Sequence, residues 1–381
     1  MQRILTVIGD PNQINTWSNT PYFFLKASQK VGFLDTGLSL KPEKLKTQRL
    51  IWNFLQWVQS REKGGFQYTP TFLKQLFYQV QLSTDNIEFI SHFPLLPPRP
   101  WNNNWKVNYY IDATSKQVFE DYGLATRVGS KIREAAIKQE QENYLQAQRI
   151  FCMSRWAAKS VVEDYQISPS KVYVIPGGAN LDEKALQATE NTPNIILPLN
   201  PLRLGFIGKD WQRKGLPYLL QVAEVLDNRG IAVEVIVIGP ASQGLPQHHL
   251  LKPVGFIDKS KDIQKFTKIV RSFHFGSLFS SAEAFGISNL ECLRLGVPVI
   301  ASHVGGIPDT VPKGLGFLFA PDSPPKIVAD VLEGFVNNPS SYYKLRQEIV
   351  SRAKEFTWQQ TIANFIQVWH GSKEFLYAAS K

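Results

Sequence analysis

The sequence predicts an α/β protein of two doubly wound halves, and three observations predict it. At 381 residues the chain exceeds the size at which one hydrophobic core keeps growing, so two domains are expected. Short β-rich runs alternate with helical patterns at the rhythm of a parallel sheet. Between the two halves the chain turns polar and proline-bearing, at Asn191-Thr-Pro-Asn-Ile-Ile-Leu-Pro-Leu-Asn-Pro201. The expected boundaries are therefore a first domain over 1–180, a hinge over 181–201 and a second domain over 202–381. The two halves are expected to face each other across a cleft, and the last helix to pack back on the first half.

In the first half the expected strands are Ile4–Gly9, Ile87–Ser91, Val107–Asp112, Ile150–Ser154 and Val172–Pro176, with helical patterns between several of them. The run Leu50-Ile-Trp-Asn-Phe-Leu-Gln-Trp-Val58 carries apolar groups on most sides. That pattern suits a covered helix, and core packing is the expectation over a face that meets a membrane or partner. The second half reads more plainly. Strands are expected at Leu202–Gly208, Val233–Gly239, Gly276–Ser280 and Pro298–Ser302, and helices at Leu216–Asn228, Asp262–Ser272 and Ile287–Leu295. Ligands of open α/β sheets bind beyond the carboxyl ends of the strands. The loops after Gly9, Ile90, Ile111, Gly208, Gly239, Val254, Ser280 and Ser302 are therefore the ones to search.

Composition narrows the field. The chain is 43% hydrophobic and 12% aromatic, as folded globular proteins are. No run approaches the ~20 apolar residues that span a bilayer, and the opening segment does not read as a secretory signal, so a cytoplasmic protein is expected. Cys152 and Cys292 sit in apolar stretches without metal-knuckle spacing and are expected to be buried free thiols. The formal charge is +10, and residues 1–180 hold 21 Lys and Arg against 14 Asp and Glu. That basic half attracts polyanions or an anionic membrane face. Its cations are spread rather than clustered with aromatics, which argues against nucleic acid. Neither a Gly-x-Gly-x-x-Gly after a strand nor a P-loop is present, which argues against a nicotinamide enzyme and a P-loop nucleotidase.

Two constellations carry chemistry. In Glu283-Ala-Phe-Gly-Ile-Ser-Asn-Leu-Glu291, a glycine, an outward-facing helix start and two flanking carboxylates suit an anion that carries hydroxyls, such as a sugar nucleotide. Ser288 and Glu291 also have the spacing of a capping box, which would explain those two residues without a ligand. After the first strand of the second half comes Gly208-Lys-Asp-Trp-Gln-Arg-Lys-Gly215. Its Lys209, Arg213 and Lys214 suit a diphosphate, because charge-assisted bonds are about twice as strong as neutral ones. A solvated basic turn is the alternative.

Taken with Gly296-Val-Pro-Val-Ile-Ala, Val174-Ile-Pro-Gly-Gly-Ala-Asn-Leu-Asp182 and Phe356-Thr-Trp358, these motifs resemble the family 4 (group 1) glycosyltransferases of the GT-B fold, two facing Rossmann-like domains. The resemblance covers residue 149 to the end well and the earlier chain loosely. It implies transfer of a hexosyl group from a nucleoside-diphosphate sugar, UDP-sugar favoured and GDP-sugar the alternative, with retention of anomeric configuration. Gly208, Lys209, Arg213 and Lys214 would then hold the donor diphosphate, with Arg213 supplying the planar fork that Lys209 lacks. Glu283 would meet the donor sugar and Glu291 the ribose. The backbone of Phe285, Gly286, Ile287 and Ser288 would meet sugar and phosphate, and Gly255, Phe256 and Ile257 would edge the base. Glu283, Lys214 and Asp112 are the expected catalytic residues.

The first half departs from the family. Asp10-Pro-Asn-Gln-Ile-Asn-Thr-Trp-Ser-Asn-Thr-Pro21 replaces a glycine-rich loop, and Asp112 in Tyr109-Tyr-Ile-Asp-Ala-Thr114 stands near the position of a frequent histidine. Asp112 either contacts donor sugar or acceptor, or caps the next helix. His92 is the histidine at another of the searched loops. No Asp-x-Asp metal motif is found, so neither metal nor cofactor is expected. A sugar-nucleotide epimerase, or a non-catalytic sugar-nucleotide binding protein, could reuse the same site. The acceptor stays open. The basic first half, with Trp52, Trp57, Phe72 and Phe77, would suit peripheral docking at the inner face of an anionic membrane with a lipid-linked acceptor, or equally a soluble small-molecule acceptor with the aromatics buried.

Overall fold

The computed structural model describes residues 1–61, 64–82, 84–122, 127–187 and 198–378. It divides into two compact units, one formed by Met1–Gly177 with Thr361–Lys381 and the other by Gly178–Gln360. The expected hinge stretch at 188–197 lies outside the described residues.

The first unit runs β1 (Gln2–Thr6), α1 (Thr20–Lys30), β2 (Thr36–Gly37), α2 (Lys46–Ser60), α3 (Pro70–Phe77), β3 (Ile87–Ser91), β4 (Trp105–Ile111), α4 (Ser115–Glu120), α5 (Ser130–Gln146), β5 (Arg149–Cys152), α6 (Arg155–Glu163) and β6 (Val172–Val174). Its sheet has the order β2-β1-β3-β4-β5-β6, and every pairing is parallel. All five residues of β3 are buried, as are the last five of β4. This is what strands covered on both faces require, and the polar residues Glu88, Ser91 and Asn108 are buried with them.

The second unit continues with α7 (Glu183–Gln187), β7 (Leu202–Ile207), α8 (Leu216–Asn228), β8 (Val233–Ile238), β9 (Leu251–Gly255), α9 (Ile263–Arg271), β10 (Phe275–Leu278), α10 (Ile287–Arg294), β11 (Val299–Ser302), β12 (Gly316–Phe319), α11 (Pro325–Asn337) and α12 (Pro339–Arg352). Its sheet is also parallel throughout, in the order β12-β11-β10-β7-β8-β9. From β7 the chain winds outward through β8 and β9, then returns to lay β10 on the other side of β7. The sequence expected Ile87–Ser91 and Leu216–Asn228 with the bounds they have. It passed over the short β2 and the edge strand β12.

The last helix, α13 (Trp358–Trp369), begins in the second unit and ends in the first. There Phe365 meets Phe24, Tyr110 and Phe151 at ring-centroid distances of 5.3, 4.8 and 4.3 Å. Trp369 stacks on Phe151 at 5.6 Å and meets Phe33 at 5.0 Å. Cys152 and Cys292 are buried free thiols, each pushed up in pKa by desolvation.

The expectation of core packing at Leu50–Val58 does not hold. Leu50, Ile51, Phe54, Leu55, Trp57 and Val58 are exposed. The interior that α2 could have entered is filled instead by Phe66, Phe72, Leu73 and Phe77. Phe72 and Phe77 are accordingly buried and leave the set of aromatics offered for docking.

Candidate functional site

The strand order of the second unit reverses between β7 and β10. At such a switch point the loops after two neighbouring strands diverge and leave a crevice at their carboxyl ends. The two constellations singled out in the sequence follow these two strands. Their side chains meet: Glu283 Oε2 accepts from Lys214 Nζ at 2.9 Å, from Ser280 Oγ at 3.0 Å and from Arg213 Nη1 at 3.3 Å. Arg213 also donates to the Ala282 carbonyl at 2.6 Å and to Asp210 Oδ2 at 3.0 Å. With side-chain exposures of 18% for Lys214 and 13% for Glu283, the pair is mostly withdrawn from water. Charges at that depth are screened less than surface pairs and hold a defined geometry.

The backbone makes this approach possible at two glycines. A Cβ on Gly208 would lie 2.3 Å from Lys214 Cδ, so the lysine stem crosses the position a side chain would fill. Gly286 has φ +93, a left-handed conformation that glycine adopts without steric cost. It is the N-cap of α10 and places the first free N–H groups of that helix directly after the Glu283 loop.

The capping-box expectation for Ser288 and Glu291 is corrected here. The cap is Gly286, two residues earlier than that spacing requires, and no side chain caps the helix. Ser288 Oγ is buried with no hydrogen-bond partner. Glu291 turns instead to Lys259, which forms a very short ion pair with its Oε1 and also donates to the Asn180 carbonyl at 3.2 Å. Three residues on, Arg294 makes a fork to Glu183 of α7, with Nη2–Oε2 at 2.5 Å and Nε–Oε1 at 3.0 Å. Sequence spacing could not reveal Lys259, because it lies on a loop after β9 and reaches α10 only through the fold.

Gly255, Phe256 and Ile257 end β9 and open the following loop. Phe256 is exposed, and Lys209 Nζ lies 4.8 Å from its ring centroid, a cation–π contact. Lys209 thus meets an aromatic face, whereas Arg213 and Lys214 reach Glu283. Phe285 and Ile287 flank Gly286, the former buried and the latter half-buried. Two motifs far apart in sequence also join: Trp358 Nε1 donates to Asn180 Oδ1 at 2.9 Å, and Ala179 N–H to the Phe356 carbonyl at 2.8 Å.

Asp112 belongs to the first unit, directly after β4. It is not the cap of the next helix. Thr114 caps α4, in a reciprocal box with Gln117. His92 follows β3 and is buried among Trp17, Phe24 and Tyr110, with ring centroids at 5.7, 5.1 and 5.2 Å. Burial pulls its pKa down to about 3, so it is neutral at physiological pH.

Comparison with known proteins places these observations in a family context. Residues 188–356 match the family described as glycosyl transferases group 1. A D-inositol 3-phosphate glycosyltransferase of Corynebacterium urealyticum is 24% identical over 226 residues, covering 55% of this chain and 53% of that protein. The chain thus spans about half the length of the curated relatives it matches. Sucrose-phosphate synthase from Thermosynechococcus elongatus superposes with a TM-score of 0.67 at 17% identity, over 97% of this chain and 98% of that one. HepE of Anabaena, solved in complex with UDP, superposes with a TM-score of 0.61 at 14% identity, over 97% of this chain and 100% of that one.

Proposed function

This chain carries a glycosyl transferases group 1 domain at residues 188–356 on a GT-B fold, and on that premise we propose that it transfers a hexosyl group from a nucleoside-diphosphate sugar to an acceptor hydroxyl. The observation that carries the reading is the convergence of Lys214, Arg213 and Ser280 on Glu283 at the switch point, next to the start of α10. Opposite charges held side by side, beside free helix N–H groups, suit a ligand that is both anionic and rich in hydroxyls.

In this reading the donor diphosphate lies against Lys209, Arg213, Lys214 and the amides after Gly286. Glu283 accepts hydrogen bonds from the donor-sugar hydroxyls, Glu291 from the ribose, and Gly255–Ile257 border the base. The barrier falls where positive groups meet the charge that builds on the departing oxygens. The bond from the anomeric carbon to the diphosphate oxygen breaks, its electron pair leaving with the phosphate. The acceptor oxygen bonds to that carbon from the same face, and its proton passes to the leaving phosphate. This course retains the anomeric configuration and requires neither a carboxylate nucleophile nor a metal. Asp112 is a candidate contact to donor sugar or acceptor. UDP is the favoured nucleotide, since the similarly folded HepE binds it, and a peripheral contact with an anionic membrane is part of the reading.

The test is nucleotide release from a panel of UDP-, GDP- and ADP-sugars. Glu283→Ala and Lys214→Ala should each lower turnover by tens-fold or more, a loss of ~2–4 kcal/mol in the transition state, with the melting temperature within a few degrees of the parent. Unchanged kinetics in either variant would overturn the site. Isomerised donor would point instead to an epimerase, and binding without turnover to a non-catalytic module.

A further inference from the structure

Helix α2 presents its residues in the reverse of the usual sense for a helix on a globular domain. Leu50, Ile51, Phe54, Leu55, Trp57 and Val58 are exposed, Phe54 by 61% and Leu50 by 58%. At about 100° per residue these positions fall within one arc of about 160°. The half-buried side chains are Trp52, Asn53 and Gln56. Trp52 packs on Phe66 with ring centroids 5.5 Å apart. The edge turned to the domain is therefore one indole and two amides, while the apolar stripe faces out. An amphipathic helix of a soluble domain ordinarily turns that stripe inward. A contiguous exposed patch of this kind marks an interaction surface.

Charge selects the partner. Over residues 41–61 stand Lys41, Lys44, Lys46, Arg49 and Arg61 against Glu43, and α2 itself contains no acidic residue. The Arg61 guanidinium lies 5.1 Å from the centroid of the Trp57 ring, so the helix ends in a cation seated on an indole at the margin of the apolar face. A second copy of this chain would bring the same cations against one another. An anionic bilayer surface meets every feature: aliphatic groups for the acyl boundary, an indole for the headgroup level and cations for the phosphates. Its 15 residues give a length of ~22 Å, short of the ~30 Å hydrocarbon core, so the helix lies in the interface rather than across it.

We propose that α2 is a membrane-docking helix, with Leu50, Ile51, Phe54, Leu55 and Val58 entering the acyl boundary of an anionic leaflet and the flanking lysines and arginines contacting its phosphates. The proposal deepens the peripheral-membrane part of the reading above and uses none of the donor-site residues.

Flotation of the full chain with vesicles of phosphatidylcholine, alone or mixed with phosphatidylglycerol, tests it. The protein should float with the mixed vesicles, weakly with phosphatidylcholine, and less as salt is raised. Ile51→Ser with Phe54→Ser should lower the vesicle-bound fraction by about ten-fold, and Lys46→Gln with Arg49→Gln should weaken binding chiefly at low salt. Melting temperature and the thermal shift given by UDP, read on the same samples, should stay at parental values in both double variants. Failure of docking is thereby distinguished from failure of the donor site. Absence of flotation with mixed vesicles, or equal flotation of parent and Ile51→Ser/Phe54→Ser, would overturn the proposal. So would a dimer in sedimentation velocity that this variant converts to monomer, because the face would then belong to a second copy.

Discussion

Gly208 and Lys214 depend closely on one another. The lysine stem occupies the space above the glycine, 2.3 Å from where a Cβ would sit, and its ammonium reaches Glu283 from there. Gly208→Ala would push aside a flexible side chain rather than backbone, so the fold should persist while the ammonium is misplaced. We expect nucleotide release to slow by about ten-fold or more, since small displacements of a positioned charge cost heavily in the transition state. Steady-state kinetics beside a thermal melt of Gly208→Ala checks this, and unimpaired kinetics would show that Lys214 has room to spare. At this scale the sequence was legible where chemistry depends on residue type. Glu283, Arg213 and Lys214 were singled out from charge and glycine placement, and they lie in hydrogen-bond contact. It was illegible where backbone dihedrals decide. Ser288 and Glu291 have capping-box spacing, but the left-handed turn at Gly286 starts the helix two residues early and frees Glu291 for Lys259.

Among the elements, α4 and α5 are joined by a buried carboxylate. Glu140 of α5 accepts from Ser115 N–H at 2.9 Å at the start of α4, from Tyr144 Oη at 2.5 Å and from Tyr165 Oη at 2.8 Å. Desolvation nevertheless outweighs these bonds and raises its pKa from 4.5 to about 7. Between those two values the folded chain holds a proton that the unfolded chain has released. Stability from this group is therefore lost as pH rises from ~4.5 to ~7 and is level above, a change of up to about 3 kcal/mol. Thermal melts from pH 5 to pH 8 should show a decline that Glu140→Gln flattens; equal slopes in the two proteins would remove Glu140 as the cause. Element identity was readable from apolar runs, and the bounds of β3 and α8 were met. What periodicity withholds is direction. The Leu50–Val58 run carries apolar groups on most sides, yet whether they face in or out depends on how much interior Phe66, Phe72, Leu73 and Phe77 already fill. The two-residue β2 and the edge strand β12 are too short or too marginal to carry a pattern of their own.

In the whole molecule, the chain passes between its units twice, after Gly177 and after Gln360. The first unit is therefore discontinuous, closed by Phe365 and Trp369 against Phe24, Phe33, Tyr110 and Phe151. Deleting residues 361–381 should strip these rings from its core at a cost of several kcal/mol, since removal of one buried aromatic alone costs about 3–5 kcal/mol. The truncated protein should melt earlier or be recovered as aggregate, measured by solubility and calorimetry against the full chain. A truncation as stable as the parent would show that the ring cluster is dispensable.

That discontinuity also orders events on the ribosome. Domains usually complete themselves from the amino end as they emerge. Here the unit made first must wait for residues 361–381, and the second unit, with the Glu283 cluster at its switch point, has all its residues in hand before the first does.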